Sequence, residues 1–113
     1  MSAGPVSEHD FDVAADAALR ALDGALDDLA DGPEVDLESG ILTLEFADGA
    51  KYVVNSHRAA RQIWMAAERS AWHFDLAADG RWIATKTGDE LWAAIEGVVG
   101  RKLGRAVALA RRP

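Results

Sequence analysis

Most side chains in this sequence that can bind a hard metal ion are carboxylates, and they are concentrated in its first half. Residues 1–50 hold 13 acidic residues against the single base Arg20, whereas residues 51–113 are net positive, in a 113-residue chain of net charge −7. Carboxylate oxygens suit Mg²⁺, Ca²⁺, Mn²⁺ and iron ions. The acidic half argues against nucleic-acid binding and for a cationic partner, either a metal ion or a basic protein surface.

These carboxylates follow the period of a helix and then of a strand. The helical repeat places Asp12, Asp16, Asp23 and Asp27 along one edge of a predicted first helix, and Asp31 follows its end. Strand alternation places three further acids on one face: Glu34, Asp36 and Glu38. Like charges four residues apart repel by a few tenths of a kcal/mol, which bound cations would relieve. The same pattern is also typical of a solvated acidic surface.

Two absences narrow the possible functions. The chain has no cysteine, which excludes disulfides, thiolate metal sites and cysteine-ligated iron–sulfur clusters. No apolar run approaches the roughly 18–20 residues that span a bilayer, and the first residues do not resemble a signal peptide. The sequence therefore predicts a cytoplasmic protein that does not enter a membrane.

Helical periodicity and capping signals predict a helix at each end of the chain. Apolar residues recur every three or four positions from about Ser7 to Ala30, with Ser7 as the expected cap and Asp31-Gly32-Pro33 as the expected end. The sequence Thr87-Gly88-Asp89-Glu90 has the spacing of a capping box, and Gly100 or Gly104 ends the helix that follows.

Between the helices, short alternating segments are separated by turn residues. Ser39-Gly40, Asp48-Gly49 and Asp79-Gly80 predict tight turns between antiparallel strands. The predicted fold is α+β, a two-layer α-β sandwich in which the N- and C-terminal helices cover one face of an antiparallel β-sheet. We expect a single domain over residues 1–113, with its core at about 7–104 and a basic tail at 105–113.

One aromatic residue is predicted to face solvent. If residues 62–66 form a strand with Ile63 and Met65 in the core, Gln62 and Trp64 point to the opposite face. An outward Trp is typical of a contact site, although it can also lie under a loop or under the basic tail. We expect a structural, hydrogen-bonded role for His73, and core positions for two other aromatic residues, Trp82 and Trp92.

The motifs together resemble the frataxin family, specifically its bacterial CyaY branch. The resemblance covers about residues 7–109 and rests on the order of several short motifs: Leu26-Asp27-Asp28, Gly40-Ile41-Leu42-Thr43-Leu44, Tyr52-Val53-Val54-Asn55, Gln62-Ile63-Trp64, His73-Phe74-Asp75, Gly80-Arg81-Trp82-Ile83 and Thr87-Gly88-Asp89-Glu90. Members of this family are α-β sandwiches, so the resemblance implies the same fold that the periodicity predicts.

The resemblance implies a role in iron–sulfur cluster biogenesis. It implies weakly bound Fe²⁺ or Fe³⁺, no organic cofactor, and the cysteine desulfurase and the cluster-scaffold protein as partners. The implied iron surface, which we call the acidic ridge, consists of Asp23, Asp27 and Asp28, with Asp12, Asp16, Asp31, Glu34, Asp36 and Glu38 at its margin. The implied protein contact is Asn55, Gln62 and Trp64.

Some positions depart from the family pattern. His57 and Ala59 stand where Gln and Pro are usual, Gly24 replaces a common acid, and Ser70-Ala71 replaces a glycine pair. Gly24 leaves the acidic ridge with one carboxylate fewer than the family pattern. His57 either adds a nitrogen ligand or is simply exposed.

The leading hypothesis is a non-catalytic protein that regulates the desulfurase complex or delivers iron to it. We expect a monomer, with iron-dependent oligomers as an alternative. A rival hypothesis is a weak ferroxidase or iron-storage enzyme acting through the acidic ridge, although the inward-facing Glu-x-x-His pairs of buried di-iron sites are missing. A third is an acidic mimic of nucleic acid.

Overall fold

The computed structural model describes residues 6–110 and contains two helices and one antiparallel sheet. The helices are α1 (Glu8–Asp27) and α2 (Leu91–Leu103), and a short 3-10 turn spans Arg58–Ala60. The strands are β1 (Glu34–Glu38), β2 (Ile41–Glu45), β3 (Lys51–His57), β4 (Gln62–Ala67), β5 (Ser70–Leu76) and β6 (Trp82–Ala84). They lie side by side in chain order, so the predicted meander is confirmed.

The core lies between one face of the sheet and the two helices. Alternate strand residues are buried there: Leu42, Leu44, Tyr52, Val54, Ile63, Met65 and Phe74. The helices contribute Phe11, Leu19, Leu22, Leu26, Leu91, Ile95, Val98 and Val99. The predicted α-β sandwich is therefore confirmed. None of the helices described between residues 6 and 110 is long and apolar enough to cross a bilayer.

The sequence predicted core positions for Trp82 and Trp92. The prediction is confirmed for Trp82 and only partly for Trp92. Trp82 is buried, with 4% of its surface exposed, and its ring contacts Phe11 edge-on at 5.8 Å between centroids. Trp92 is only partly buried and packs against the edge of the core.

The tight turn predicted at Ser39-Gly40 is confirmed. Both residues have positive φ, as a two-residue hairpin turn of this kind requires.

Helix α1 begins where the sequence predicts but ends earlier, whereas α2 ends at one of its two predicted positions. The Ser7 side chain accepts a hydrogen bond from the Asp10 amide, as expected for the cap of α1. The helix ends at Asp27, however, before the predicted end at Asp31-Gly32-Pro33. The left-handed residue there is Asp31, with a φ of 57°, and not the glycine beside it. The end of α2 at Gly104, which has a φ of 74°, agrees with one of the two predicted positions.

The predicted capping box of α2 is wrong, because Glu90 is itself the cap. Its carboxylate accepts the amides of Trp92 and Ala93, at 2.9 and 3.1 Å. Thr87, the expected cap, instead bonds to Asp89 within the preceding turn. Residue 90 is extended and forms an isolated β-bridge with Ile83. From that position the long side chain of Glu90 reaches the first amides of α2.

Two ion pairs connect α2 to the loop between β2 and β3 and to the turn between β4 and β5. Arg101 donates both to Glu68 Oε2 and Oε1, at 2.7 and 2.8 Å, and Lys102 pairs with Asp48. The hydrogen bond from Arg101 lowers the pKa of Glu68, and that from Lys102 lowers the pKa of Asp48. Because both folded-state pKa values are lowered, these pairs stabilise the fold above the carboxyls' unfolded pKa, and this contribution is lost as the pH falls through the folded values.

The position of the helix cap can be tested by comparing two substitutions. Glu90→Ala should lower the free energy of unfolding by about 1 kcal/mol, because two amides of the first turn lose their acceptor. Thr87→Ala should have a smaller effect, since its hydroxyl serves only the turn. Urea unfolding followed by circular dichroism measures both. A larger loss for Thr87→Ala would show that the capping box inferred from the sequence is correct after all.

Candidate functional site

The acidic ridge lies along α1 and continues onto the edge strand of the sheet. Helix α1 carries Asp12, Asp16, Asp23 and Asp27, and the segment after it carries Asp28 and Asp31. Three exposed residues of β1 complete it: Glu34, Asp36 and Glu38. Their side chains point to the sheet face that the helices leave open, because the partly buried Val35 and Leu37 alternate with them and pack against the core.

Two margin residues of the ridge already have basic partners. Asp16 accepts Arg20 Nε at 2.8 Å one helical turn away. Asp12 accepts Arg58 of the 3-10 turn, with the closest approach at 3.0 Å. Both pairs are largely exposed, so they add little to stability. They matter for cation binding, because a cation that approaches this end of the acidic ridge competes with Arg20 and Arg58 for the carboxylates.

The ridge is an open surface and not a preformed chelating site. Within residues 6–110, no group of three or more His, Asp or Glu side chains is arranged to hold a metal ion. Any iron held by the ridge would therefore keep much of its hydration shell and contact few carboxylates at a time. Such a surface favours weak binding with little selectivity among hard cations.

The predicted contact residues lie together on the open face of the sheet. Asn55 in β3 is paired in register with Trp64 in β4, which is paired with His73 in β5. Gln62 lies two residues from Trp64 on the same face, opposite Asp75. The structure thus brings together all three predicted residues. It adds His73, for which only a structural role was expected, and Asp75, to which no role in the contact was assigned.

Trp64 is held between two histidine rings. The His57 ring lies 3.8 Å from the Trp64 ring between centroids, with 13° between their planes. The His73 ring lies 4.4 Å away, at 14°. We call these three residues the His-Trp-His stack. Both faces of the indole are covered, so a partner meets the edge of Trp64 and the two imidazoles rather than an open aromatic face.

Hydrogen bonds fix the orientation of the stack. The Trp64 indole N–H donates to Gln62 Oε1 at 2.8 Å, and Gln62 Nε2 donates to Asp75 Oδ1 at 3.0 Å. His57 Nδ1 accepts the Ala60 amide at 3.3 Å and so caps the 3-10 turn. These bonds limit the rotation of the side chains before any partner arrives, which lowers the entropy lost on binding.

Both histidines differ from what the sequence suggested. His73 was expected to be hydrogen-bonded in a structural role, but it is exposed and its ring contact is with Trp64. His57 is only partly exposed, because its ring stacks on Trp64. Strand alternation was the available signal, because residues 55, 57, 62, 64, 73 and 75 all have the outward phase.

A short segment connects the stack with the acidic ridge. His57 packs against Trp64, and the next residue, Arg58, reaches Asp12 of α1. Arg61 ends the 3-10 turn with a φ of 54°, and its guanidinium donates to the Arg58 carbonyl at 2.9 Å. The two predicted surfaces are therefore neighbours at this corner of the molecule.

Comparison with known proteins identifies relatives of this chain. A family model described as "Frataxin-like domain" matches residues 4–105. The iron-sulfur cluster assembly protein CyaY of Ralstonia pickettii is 34% identical over 94% of this chain and 96% of its own length. The protein of the same name from Cupriavidus metallidurans is 36% identical over 93% of this chain and 97% of its own length.

Solved structures show the same architecture. Frataxin from Psychromonas ingrahamii superposes with a TM-score of 0.82 at 22% identity, covering 90% of this chain and 96% of that one. A structure of yeast frataxin gives 0.71 at 27% identity, over 92% and 95% of the two chains. Trimeric frataxin from Saccharomyces cerevisiae, complexed with ferrous, gives 0.52 at 26% identity over 88% and 91%.

Replacing His57 tests whether the stack holds Trp64 in place. His57→Ala should change the chemical shift of the Trp64 indole N–H and lower the free energy of unfolding by about 1 kcal/mol, as expected for one aromatic contact. Two-dimensional ¹H–¹⁵N NMR measures the shift, and urea unfolding measures the stability. His9→Ala, at an exposed position in the first turn of α1, is the matched control. An unchanged Trp64 resonance would contradict the stacked geometry.

Proposed function

The chain belongs to the frataxin family, and on that premise we propose that it acts in iron–sulfur cluster assembly as a non-catalytic regulator or iron carrier. The His-Trp-His stack on the open sheet face would contact the cysteine desulfurase or the scaffold protein. The acidic ridge would bind iron weakly as cargo and attract a basic surface of the desulfurase. The names of the CyaY relatives support the process, and the ferrous complex of yeast frataxin supports iron as the cargo.

The observation that carries this proposal is the ordered placement of Trp64 on a solvent-facing sheet. Large aromatic side chains dominate binding energy when they are rigid and become desolvated in a complex. Trp64 is half-buried, its N–H is already bonded within the protein, and its edge remains available. Such a residue adds apolar contact area without leaving an unpaired polar group in an interface.

The charge of the ridge supports the second part of the proposal. Six of its nine carboxylates form no ion pair within 4 Å with another residue between 6 and 110, the part of the chain that the structure describes: Asp23, Asp27, Asp31, Glu34, Asp36 and Glu38. The same surface can attract Fe²⁺, Fe³⁺ and a cluster of Lys or Arg on a partner. Binding to the desulfurase should therefore weaken as the salt concentration rises.

Neutralising the three central ridge acids tests iron binding. Asp23→Asn, Asp27→Asn and Asp28→Asn together should abolish the NMR shifts caused by iron and weaken desulfurase binding. The free energy of unfolding should stay equal or rise by a few tenths of a kcal/mol, because the Asp23–Asp27 repulsion is removed. Anaerobic Fe²⁺ titration and a desulfurase binding assay make the measurements.

The control for the ridge changes the same net charge elsewhere. Glu8→Gln, Asp10→Asn and Glu45→Gln together also remove three negative charges, but none of them belongs to the ridge. This variant should keep its iron-induced shifts. Equal loss in both variants would mean that net charge alone governs binding, and unchanged binding in the ridge variant would refute the ridge. Rapid oxygen uptake when oxygen is admitted after the anaerobic Fe²⁺ titration would favour the ferroxidase hypothesis.

Removing Trp64 tests the protein contact. Trp64→Ala should weaken binding to the desulfurase–scaffold complex about tenfold or more, as is typical of a central aromatic contact. It should also lower the free energy of unfolding by about 1–2 kcal/mol, because two ring contacts are lost. Calorimetric titration and urea unfolding separate these effects. Val13→Ala, an exposed apolar position on α1, is the control, and equal affinity of both variants would show that Trp64 is not in the interface.

A further inference from the structure

The last pair of strands is unequal in length, which leaves one edge of the sheet open. Strand β5 spans Ser70–Leu76, whereas β6 has only three residues and pairs with Phe74, Asp75 and Leu76. After Ala84 the chain leaves the sheet: Thr85 makes one more bond to the His73 carbonyl, and the chain then turns. Residues 70–72 therefore have no neighbouring segment bonded to them on this side within the described chain.

Backbone hydrogen-bonding groups point out of this open edge. The bond from the Thr85 amide shows that the His73 carbonyl points away from β4. In antiparallel pairing, residues alternate in the side to which their N–H and C=O point. The two backbone groups of Ala71 consequently point to the same side as those of His73, and Ala71 is exposed. An added strand would find donors and acceptors there.

A cleft lies along this edge and is large enough for a short extended segment. Its volume is about 320 Å³, and residues 70–73 and 84–87 line it. The side chains of Trp72 and His73 point to opposite faces of β5, so an added strand would contact each with alternate side chains. Trp72 is held in place by its indole N–H, which donates to Asp89 at 3.3 Å.

One cation lines the cleft and a second adjoins it along the chain, although the protein as a whole is acidic. Lys86 lines it, and Arg69 precedes its first residue. Neither cation has a carboxylate within 4 Å between residues 6 and 110. Of the nearby acids, Glu68 is bound by Arg101, and Asp89 accepts from Thr87 and Trp72.

The opposite edge of the sheet has the reverse character. Edge strand β1 carries Glu34, Asp36 and Glu38, all of them exposed. Charged side chains on an edge strand oppose pairing with another chain, and carboxylates repel acidic segments in particular. One edge of the sheet is thus protected by acids, whereas the other offers backbone groups, an aromatic side chain and unpaired cations.

We propose that the open edge of β5 binds an extended, acidic segment of a partner protein, which adds to the sheet as a short strand. The N–H and C=O of Ala71 and the N–H of His73 supply the hydrogen bonds, Trp72 contacts one apolar side chain, and Lys86 pairs with a carboxylate. This site is separate from the acidic ridge, and it uses β5 backbone and Lys86 rather than the edge of Trp64. It therefore stands or falls independently of the function proposed above.

A designed peptide provides the test. The probe is the blocked hexapeptide Val-Glu-Val-Glu-Val-Glu, titrated into the ¹⁵N-labelled protein. We expect shifts at the amides of Ala71, His73 and Lys86. The same peptide with Lys in place of Glu, or with N-methyl groups on alternate amides, should not bind. Free glutamate should cause none of these shifts, and if it did, the cleft would be a small-anion site and the proposal would be overturned.

Protein variants locate the site and exclude simple charge effects. Lys86→Glu should weaken peptide binding about fivefold or more, whereas Lys51→Glu, the same change on β3 of the same sheet, should weaken it much less. Absence of peptide binding, equal effects of the two lysine variants, or shifts centred on Trp64 would each overturn the proposal.

Discussion

Burial of one sheet face under two helices is the constraint from which the rest of the molecule follows. Leu42, Leu44, Val54, Ile63, Met65 and Phe74 all point to that face and are almost fully buried. Because side chains alternate along a strand, a shift of one residue in any pairing would expose this set and bury its polar neighbours. The packing that holds the core therefore also determines which residues reach the opposite face, and the stack on that face depends on the same register.

The outer face gains its order from pairing between strands. Trp64 and His73 are directly opposed, and their rings stand side by side, as cross-strand neighbours do when their side chains interact. Gln62 then joins Trp64 of the same strand to Asp75 of β5, and His57 of β3 stacks on Trp64, so residues of three strands form one surface. A surface prepared in this way loses less side-chain freedom when a partner binds, which explains how a small sheet can present a specific contact without a deep pocket.

The uneven charge of the chain is only partly compensated in the folded protein. Arg58 pairs with Asp12 and Lys102 with Asp48, and each pair joins the basic second half to the acidic first half. Most carboxylates of the acidic ridge take no part in these two ion pairs. Their repulsion costs little because they are exposed and screened by water and salt, so the fold tolerates a surface whose charge is more useful for attracting cations than for stability.

The sequence by itself determined the order of the elements, the buried face of β4, the turn at Ser39-Gly40 and the line of acids on α1. Each of these depends on a local period or a local turn preference. Only the tertiary structure decided what lies beside Trp64, which residue caps α2 and where β5 is left without a neighbour. His57 and His73 are seven and nine residues from Trp64 along the chain, and they meet it through strand register. Glu90 replaces Thr87 as the cap because the preceding turn bonds to itself and residue 90 stays extended, a competition between contacts that no spacing pattern records.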